Sequence, residues 1–305
     1  MISTVDPGGQ MLLAQLDRMA ARLVTAQREI SSGLKVNTAS DAPDQVSGIL
    51  ALRANLGRNT QVRTNLERAK SETATADAAL QRAVEVLDSA ISLASQGAGS
   101  LAGGQRQALA EQARGIQQEM VGLSRTTYED RYLFGGDLDQ TPTYQLDLAS
   151  PTGVDRLATP QATRQQEHPC GVSFAISRAA PEIFDDRNPD DTPSVKNVFA
   201  AVNSLATALE ADDQAGVEGA LGSLRQASAH VNAQLAFYGA VENRIDNAID
   251  DAGALETRLK AALSEREDAD ITASILELQQ VQVHQSAALQ ARAAIRKNSL
   301  FDYLK

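Results

Sequence analysis

The sequence predicts a mainly α fold, in which the N- and C-terminal arms form a long antiparallel helical coiled-coil rod and a small β-containing outer domain is inserted between them. Apolar residues recur at alternating steps of four and three in both arms. Aromatic residues make up only 4% of the chain, which has no tryptophan, and seven of the nine prolines fall between residues 142 and 193. Because the alternating step keeps one stripe of a helix towards a partner helix, whereas proline interrupts helices, two helical arms should flank one helix-hostile segment.

The first predicted element is a terminal helix of about five turns. Its stripe consists of Leu12, Leu16, Met19, Leu23, Ala26 and Ile30. Gly33 follows where a left-handed C-terminal cap would end this helix. Asp41, Pro43 and Asp44 then predict an N-cap, a first-turn proline and an acid at the third position of the next helix.

The second predicted element is a helix too long for an ordinary globular domain. Its stripe runs through Val62, Leu66, Ala69, Thr73, Ala76, Leu80, Ala83, Leu87, Ala90 and Ala94. The glycine-rich stretch from Gly97 to Gln105 interrupts it and predicts a helix–helix turn, with a shorter helix from about Gln105 to Thr127. A phosphate-binding loop is not indicated, because no Gly-Lys-Ser/Thr follows and no strand precedes.

Two short alternating segments predict strands in the insert, TYQLDL from Thr143 and CGVSFAIS from Cys170. The second arm resumes near Ser194 and continues without proline. Its helical stripe consists of Val241, Ile245, Ala248, Ala252, Leu255, Leu259 and Ala262. Beyond Asp270 the pattern loosens, because Gln282 and Gln285 occupy seam positions. A helix of that kind needs several neighbours.

Composition argues against several classes of function. A formal net charge of −11 disfavours nucleic acid and anionic membrane surfaces, and no segment is apolar enough for membrane insertion. No catalytic motif, metal-ligand spacing or cofactor fingerprint occurs, so we predict a protein that is not an enzyme and has no cofactor. The acidic cluster of Asp185, Asp186, Asp190 and Asp191 could gather calcium, but its spacing favours a solvated acidic turn.

Two motifs resemble the bacterial flagellin superfamily. The first is the signature of its terminal arms, matched by Ser31, Ser32, Gly33, Val36, Asn37, Ala39 and Asp41. The second is YLFGG, formed by Tyr132, Leu133, Phe134, Gly135 and Gly136. YLFGG and the ending SLFDYL, from Ser299 to Leu304, are similar to the hook-associated protein 3 group at the hook–filament junction. The resemblance covers roughly residues 10–140 and 195–305.

The resemblance implies an extracellular structural protein of the flagellum, exported through the type III channel without a cleavable signal peptide. It implies terminal helices at residues 1–33 and 270–305 in the inner tube, a rod at 34–140 and 194–269, and a variable outer domain at 141–193. The implied partners are further copies in a helical tube, a neighbouring hook-associated protein, flagellin and a flagellar export chaperone.

We expect the apolar residues of the two terminal helices to form the assembly interface. They are Leu12, Leu16, Met19, Leu23, Ile30, Ile271, Ile275, Leu278, Leu289, Ile295, Leu300, Phe301, Tyr303 and Leu304. Three alternatives remain open at this point: a filament flagellin, a cytoplasmic coiled-coil scaffold or signalling protein whose bundle closes on itself, and an enzyme carried by the insert.

Overall fold

The computed structural model describes residues 7–99, 103–162 and 164–295. That part of the chain contains seven helices: α1 (Pro7–Ser32), α2 (Val46–Gly97), α3 (Gly103–Ser124), α4 (Ala180–Ile183), α5 (Val198–Glu210), α6 (Gln214–Glu267) and α7 (Ile271–Ile295). The predicted mainly α fold with long helices in both arms is confirmed. The glycine-rich stretch does separate two helices, as predicted. None of the helices in the described ranges is long and apolar enough to cross a lipid bilayer.

Six short strands pair into three two-stranded antiparallel sheets. They are β1 (Thr127–Tyr128), β2 (Arg131–Tyr132), β3 (Tyr144–Leu146), β4 (Val154–Arg156), β5 (Gln165–Glu167) and β6 (Ser173–Ala175). Tyr144 is paired with Arg156 in the second sheet, and Gln166 with Phe174 in the third. Both predicted strand segments therefore contain strands, β3 and β6.

The chain divides into two compact units. Unit 1 consists of Met1–Arg58 and Glu256–Lys305, and unit 2 of Asn59–Leu255. Helices α2 and α6 contribute to both units, whereas all six strands belong to unit 2. The predicted domain limits at residues 33, 140, 194 and 270 do not coincide with the limits of these units and stay a prediction.

The core of unit 2 is built on the stripe of α2. All ten predicted stripe residues between Val62 and Ala94 are buried, and the spacing prediction is confirmed for this helix. Five of them are alanines, which let neighbouring helices approach closely. Leu66, Leu80 and Leu87 are fully buried, and each contributes roughly 1.5–3 kcal/mol by leaving water.

Aromatic residues complete this core where the insert meets the helices. Phe134 packs edge-on against Phe184, with ring centroids 5.6 Å apart, and edge-on against Tyr238 at 6.4 Å. Tyr144 and Phe199 lie 4.9 Å apart. All five rings are buried. The insert therefore shares a core with the helices of unit 2 and contributes to its stability.

The prediction of a solvated acidic turn is wrong for Asp185. Its side chain is fully buried, and it accepts hydrogen bonds from Arg156 Nε at 3.0 Å, Arg187 Nε at 3.0 Å and Asn197 Nδ2 at 2.7 Å. Two guanidinium groups compensate the cost of burying the charge. Among the described residues, no group of three His, Cys, Asp or Glu side chains could hold a metal ion.

Candidate assembly surfaces

Helices α1 and α7, which are not connected in sequence, pack as an antiparallel pair in unit 1, and we call this pair the terminal hairpin. The Ala269 N–H donates to the Gly33 carbonyl at 2.9 Å, beside the end of α1. Further along, Ser274 Oγ donates to Glu29 at 2.7 Å, and Arg22 Nε pairs with Glu277 at 2.8 Å. From one contact to the next, the residue number decreases on α1 and increases on α7, so the two helices run in opposite directions.

The predicted stripe of α1 faces α7. Ala26 is buried, and the five larger side chains predicted for the interface are half-buried. They are Leu12, Leu16, Met19, Leu23 and Ile30. One partner helix therefore covers this stripe only in part.

The seam of α7 differs from the predicted stripe. Ser274 and Val281 are buried, and Leu278, Gln285 and Ala288 are half-buried, which gives steps of four, three, four and three. Of the residues predicted on α7, Leu278 lies on this seam, whereas Ile271, Ile275 and Leu289 lie beside it and are exposed. Ile295 ends the helix. Leu300, Phe301, Tyr303 and Leu304 lie outside the described residues.

The hairpin has two chemically different sides. A helix turns about 100° per residue. Leu13 and Val24 therefore lie about 100–120° from the seam of α1. Ile271, Ile275 and Leu289 lie about 60–100° from the seam of α7 in the same rotational sense. The two helices face each other and run in opposite directions. A residue rotated from the seam in one sense on α1 therefore lies on the same side of the hairpin as a residue rotated in that sense on α7. On the opposite flank lie Arg22 and Glu277, whose ion pair confirms this geometry.

The large exposed aliphatic side chains lie mainly on one side of the hairpin, whereas the flank of Arg22 and Glu277 carries Met11 as its large exposed apolar residue. We call the side with Leu13, Val24, Ile271, Ile275 and Leu289 the apolar side. All five side chains are large and between 38% and 61% exposed. Leu276 and Val283, one heptad apart, are also exposed and lie on the face of α7 directed away from α1. A soluble monomer rarely exposes so many large aliphatic side chains on one pair of helices.

The loop that joins α1 to α2 is tightly hydrogen-bonded and lies at the base of the hairpin. Gly33 has φ +75° and its N–H donates to Glu29 O at 2.8 Å, which confirms the predicted left-handed cap. The Lys35 N–H donates to Glu267 O at 2.7 Å. The Asn37 side chain donates to Leu34 O at 2.8 Å. Residues of the flagellin-like signature thus fix how the two arms meet within unit 1.

The predicted role of Asp41 as the N-cap of α2 is wrong. Its carboxylate accepts hydrogen bonds from the N–H groups of Asn37 at 2.9 Å and Thr38 at 2.7 Å. The chain makes a further turn before α2 begins at Val46. Asp41 therefore holds the loop that precedes it, because the backbone donors there are closer than those of the helix.

Asp41 should make the loop sensitive to acid. Hydrogen bonds from the backbone of Thr38 and then of Asn37 lower the pKa of this carboxyl. A lowered folded-state pKa means that the bonds stabilise the loop above the ordinary carboxyl pKa and are lost as the pH falls through the lowered value. We expect the Thr38 amide resonance in an NMR titration to shift only below the ordinary carboxyl range.

A matched pair of variants tests this prediction. Asp41→Asn should abolish the acidic shift of the Thr38 resonance, whereas Asp44→Asn, on an exposed neighbour, should leave it in place. A Thr38 resonance that still titrates in the Asp41→Asn protein would contradict the assignment.

The YLFGG motif forms a compact turn in unit 2. Leu133 and Phe134 are buried in the core, and the Ala180 N–H donates to Phe134 O at 2.8 Å. Gly135 and Gly136 follow where neighbouring backbone is too close for a Cβ. The motif thus connects the insert to the helical core.

Known protein families match the two helical arms of the chain. A model of the bacterial flagellin N-terminal helical region matches residues 9–138, and a model of the C-terminal helical region matches residues 221–304. Together they span well over half of the sequence. A comparison with proteins of curated function finds no match.

Solved structures with the same fold include flagellar hook-associated proteins. One, from Vibrio parahaemolyticus, has a TM-score of 0.65 and 19% identity over 75% of this chain and 100% of that chain. Hook-associated protein-3 of Legionella pneumophila has a TM-score of 0.62 and 13% identity over 71% and 98%. FlgL of Bacillus cereus has a TM-score of 0.55 and 17% identity over 73% and 100%. At these identities the likeness shows a common fold.

Proposed function

Because the chain belongs to the bacterial flagellin family and is a structural component of the flagellum, we propose that it acts as an adaptor at the hook–filament junction and polymerises through α1 and α7. The observation that carries this proposal is the apolar side of the terminal hairpin. Its five aliphatic residues are covered only in part within the described residues of unit 1, and a neighbouring copy with the same hairpin would cover the exposed remainder.

Burial of these side chains provides the driving force for assembly. Removing apolar surface from water contributes roughly 25 cal/mol per Å². Further burial of five large side chains therefore offsets part of the free-energy cost of the entropy lost on association. The outer face of α7, with Leu276 and Val283, offers a second and different apolar surface. Two unlike surfaces on one chain support head-to-tail association, which builds an open helical array.

The position at the junction rests on two supports. SLFDYL resembles the hook-associated protein 3 group, and the solved structures of similar fold include one named as a flagellar junction protein, FlgL of Legionella pneumophila. In this proposal the terminal helices at 1–33 and 270–305 form the inner tube, and the partners are a neighbouring hook-associated protein and flagellin.

A filament flagellin is the second candidate, because both matching family models describe flagellin itself. The number of copies per flagellum distinguishes the two. Quantitative mass spectrometry of sheared flagella should find a few copies of a junction protein for each hook, whereas a flagellin would be the major protein of the filament. The second result would replace the junction proposal.

We also propose that the chain is exported unfolded through the flagellar channel, with its C-terminal region held by a chaperone, and that it has no enzymatic activity. Cys170 is the only cysteine, so no internal disulfide has to be broken before export. The exported chain would then fold and assemble outside the cell.

The assembly proposal predicts the effect of charges on the apolar side. Val24→Asp combined with Leu289→Asp would bury two carboxylates in the interface, at a cost of about 1.5 kcal/mol or more for each. We expect at least a tenfold loss of the protein from isolated flagella, measured by immunoblotting of a strain that lacks the natural copy. Circular dichroism of the purified chain should stay unchanged, since both positions are at least half exposed.

The matched control places the same two charges elsewhere on the hairpin. Thr25→Asp combined with Ala291→Asp alters exposed residues on the flank of Arg22 and Glu277, away from both apolar surfaces, and should assemble normally. Normal incorporation of the Val24→Asp, Leu289→Asp protein would refute polymerisation through this side.

A further inference from the structure

An apolar groove opens in unit 1 beside the signature loop. It has a volume of about 240 Å³, which is room for one large side chain. Its apolar wall consists of Val36, Ala39, Val46, Ile49 and Leu50. Ile49 is buried beneath it, whereas Leu50 is 58% exposed at its edge.

One end of the groove is charged. Glu267 is almost fully buried there, and Arg53 Nη2 lies 2.8 Å from its Oε1. The Arg53 side chain is still 53% exposed. A guanidinium has five N–H donors, so Arg53 can pair with Glu267 and with an incoming carboxylate at the same time.

We propose that this groove receives the C-terminal segment of a second copy, with Phe301 in the apolar part and Asp302 beside Arg53. Phe301 and Tyr303 are the only aromatic residues in the sequence of unit 1. Leu300, Phe301 and Asp302 are adjacent in sequence, which matches the adjacent apolar and cationic parts of the groove. The proposal rests on the proposed self-assembly and names a second contact within it.

Chain length alone does not let Phe301 of the same chain reach the groove. Helix α7 begins at the base of the hairpin, where the Lys35 N–H bonds Glu267 O, and its 25 residues carry Ile295 about 36 Å from that base. Phe301 follows six residues later and can return by about 20 Å at most. A copy displaced along the assembly can present its own segment instead.

Directed cross-linking tests the contact in assembled flagella. One form of the full chain carries Leu50→Cys and the other carries Phe301→Cys with a size tag, and Cys170→Ser is present in both because Cys170 is exposed. The two forms are produced together in a strain without the natural copy. After mild oxidation of isolated flagella, we expect a mixed dimer on a non-reducing gel. Substituting Leu138→Cys, on an exposed residue of unit 2, for Leu50→Cys should give none.

The result separates this proposal from the proposed function. Flagella that contain both forms but yield no mixed dimer would overturn the groove contact and leave assembly standing. Absence from flagella of both forms, of Cys170→Ser alone and of the unmodified chain would overturn the proposed function. A cross-link between Phe301→Cys and a different flagellar protein would also overturn the inference, because the occupant would then not be a second copy.

A double-mutant cycle gives an independent readout. Leu50→Ala and Phe301→Ala should each reduce the amount of protein retained when flagella are washed with increasing urea. If the two side chains touch, the double variant should lose no more protein from the washed flagella than the single variant with the larger loss. Fully additive losses would overturn the contact.

Discussion

Replacing Gly136 by alanine is expected to destabilise unit 2 by more than about 3 kcal/mol. Gly136 has φ +52°, a left-handed conformation that costs other residues about 1–2 kcal/mol. An added Cβ would also lie 2.1 Å from the carbonyl oxygen of Gln161. This oxygen belongs to backbone, so it cannot be displaced by a side-chain rotation.

The clash would separate two segments that are hydrogen-bonded to each other, one at Asp137 and one at Gln161. The Asp137 N–H donates to Gln161 O at 3.1 Å, and the Gln161 N–H donates to Asp137 Oδ1 at 2.8 Å. Moving the two segments apart loses both hydrogen bonds and shifts Phe134, which packs against Phe184 and Tyr238. Tyrosine signals in near-ultraviolet circular dichroism during urea unfolding would report the loss, because four of the five tyrosines lie in unit 2.

Gly115 provides the matched control for this substitution. It lies inside α3, exposed, with no atom within 4 Å of an added Cβ. Gly115→Ala should therefore stabilise the protein by about 0.5–1 kcal/mol through helix propensity. Equal urea midpoints for the two variants would contradict the role assigned to Gly136.

The sequence was sufficient for features that depend on helical periodicity. Every predicted stripe residue of α2 is buried, because a helix with neighbours along its length repeats one environment every seven residues. On α7 the same rule selected Ile275 and Leu289, whereas the seam uses Ser274, Val281 and Gln285. A helix with apolar residues around much of its circumference has no single stripe that periodicity can identify.

Polar contacts over long sequence separations were not predictable. Arg106 is buried and donates to the carbonyls of Gly97 at 3.2 Å and Gly99 at 3.1 Å, and it pairs with Asp212. It thus holds the turn between α2 and α3. No local pattern marks this arginine, because its partners are brought to it only by the complete fold of unit 2.

The burial of Asp185 was likewise not predictable, and replacing this residue is expected to have a large effect on stability. The sequence does not distinguish it from Asp186, Asp190 and Asp191, but only the Asp185 carboxylate is fully buried; Asp191 pairs with the same two arginines from an exposed position. Asp185→Asn would leave the guanidinium groups of Arg156 and Arg187 half-buried without this countercharge. We expect a loss of about 3–5 kcal/mol, measured as a lower urea midpoint of unit 2.

The substitution should also release the start of α5. Asn197 caps this helix by accepting from the Ala200 N–H at 2.9 Å, and it is oriented by donating to Asp185 at 2.7 Å. An asparagine at position 185 can turn its NH₂ group towards the Asn197 NH₂ or towards an arginine, and in either case two donors face each other. Faster amide hydrogen exchange at Ala200 should accompany the lower midpoint, because its capping acceptor is no longer held in place.

Asp190→Asn is the control for this effect, since it removes the same charge from the same turn. The Asp190 carboxylate is exposed and bonds only Thr192 among its described neighbours, at 2.6 Å from the hydroxyl and 3.2 Å from the N–H. Its loss should leave both the urea midpoint and the exchange at Ala200 close to those of the unmodified protein. If the two variants behaved alike, the net charge of the turn, and not the burial of one carboxylate between two arginines, would determine the stability of this part of the core.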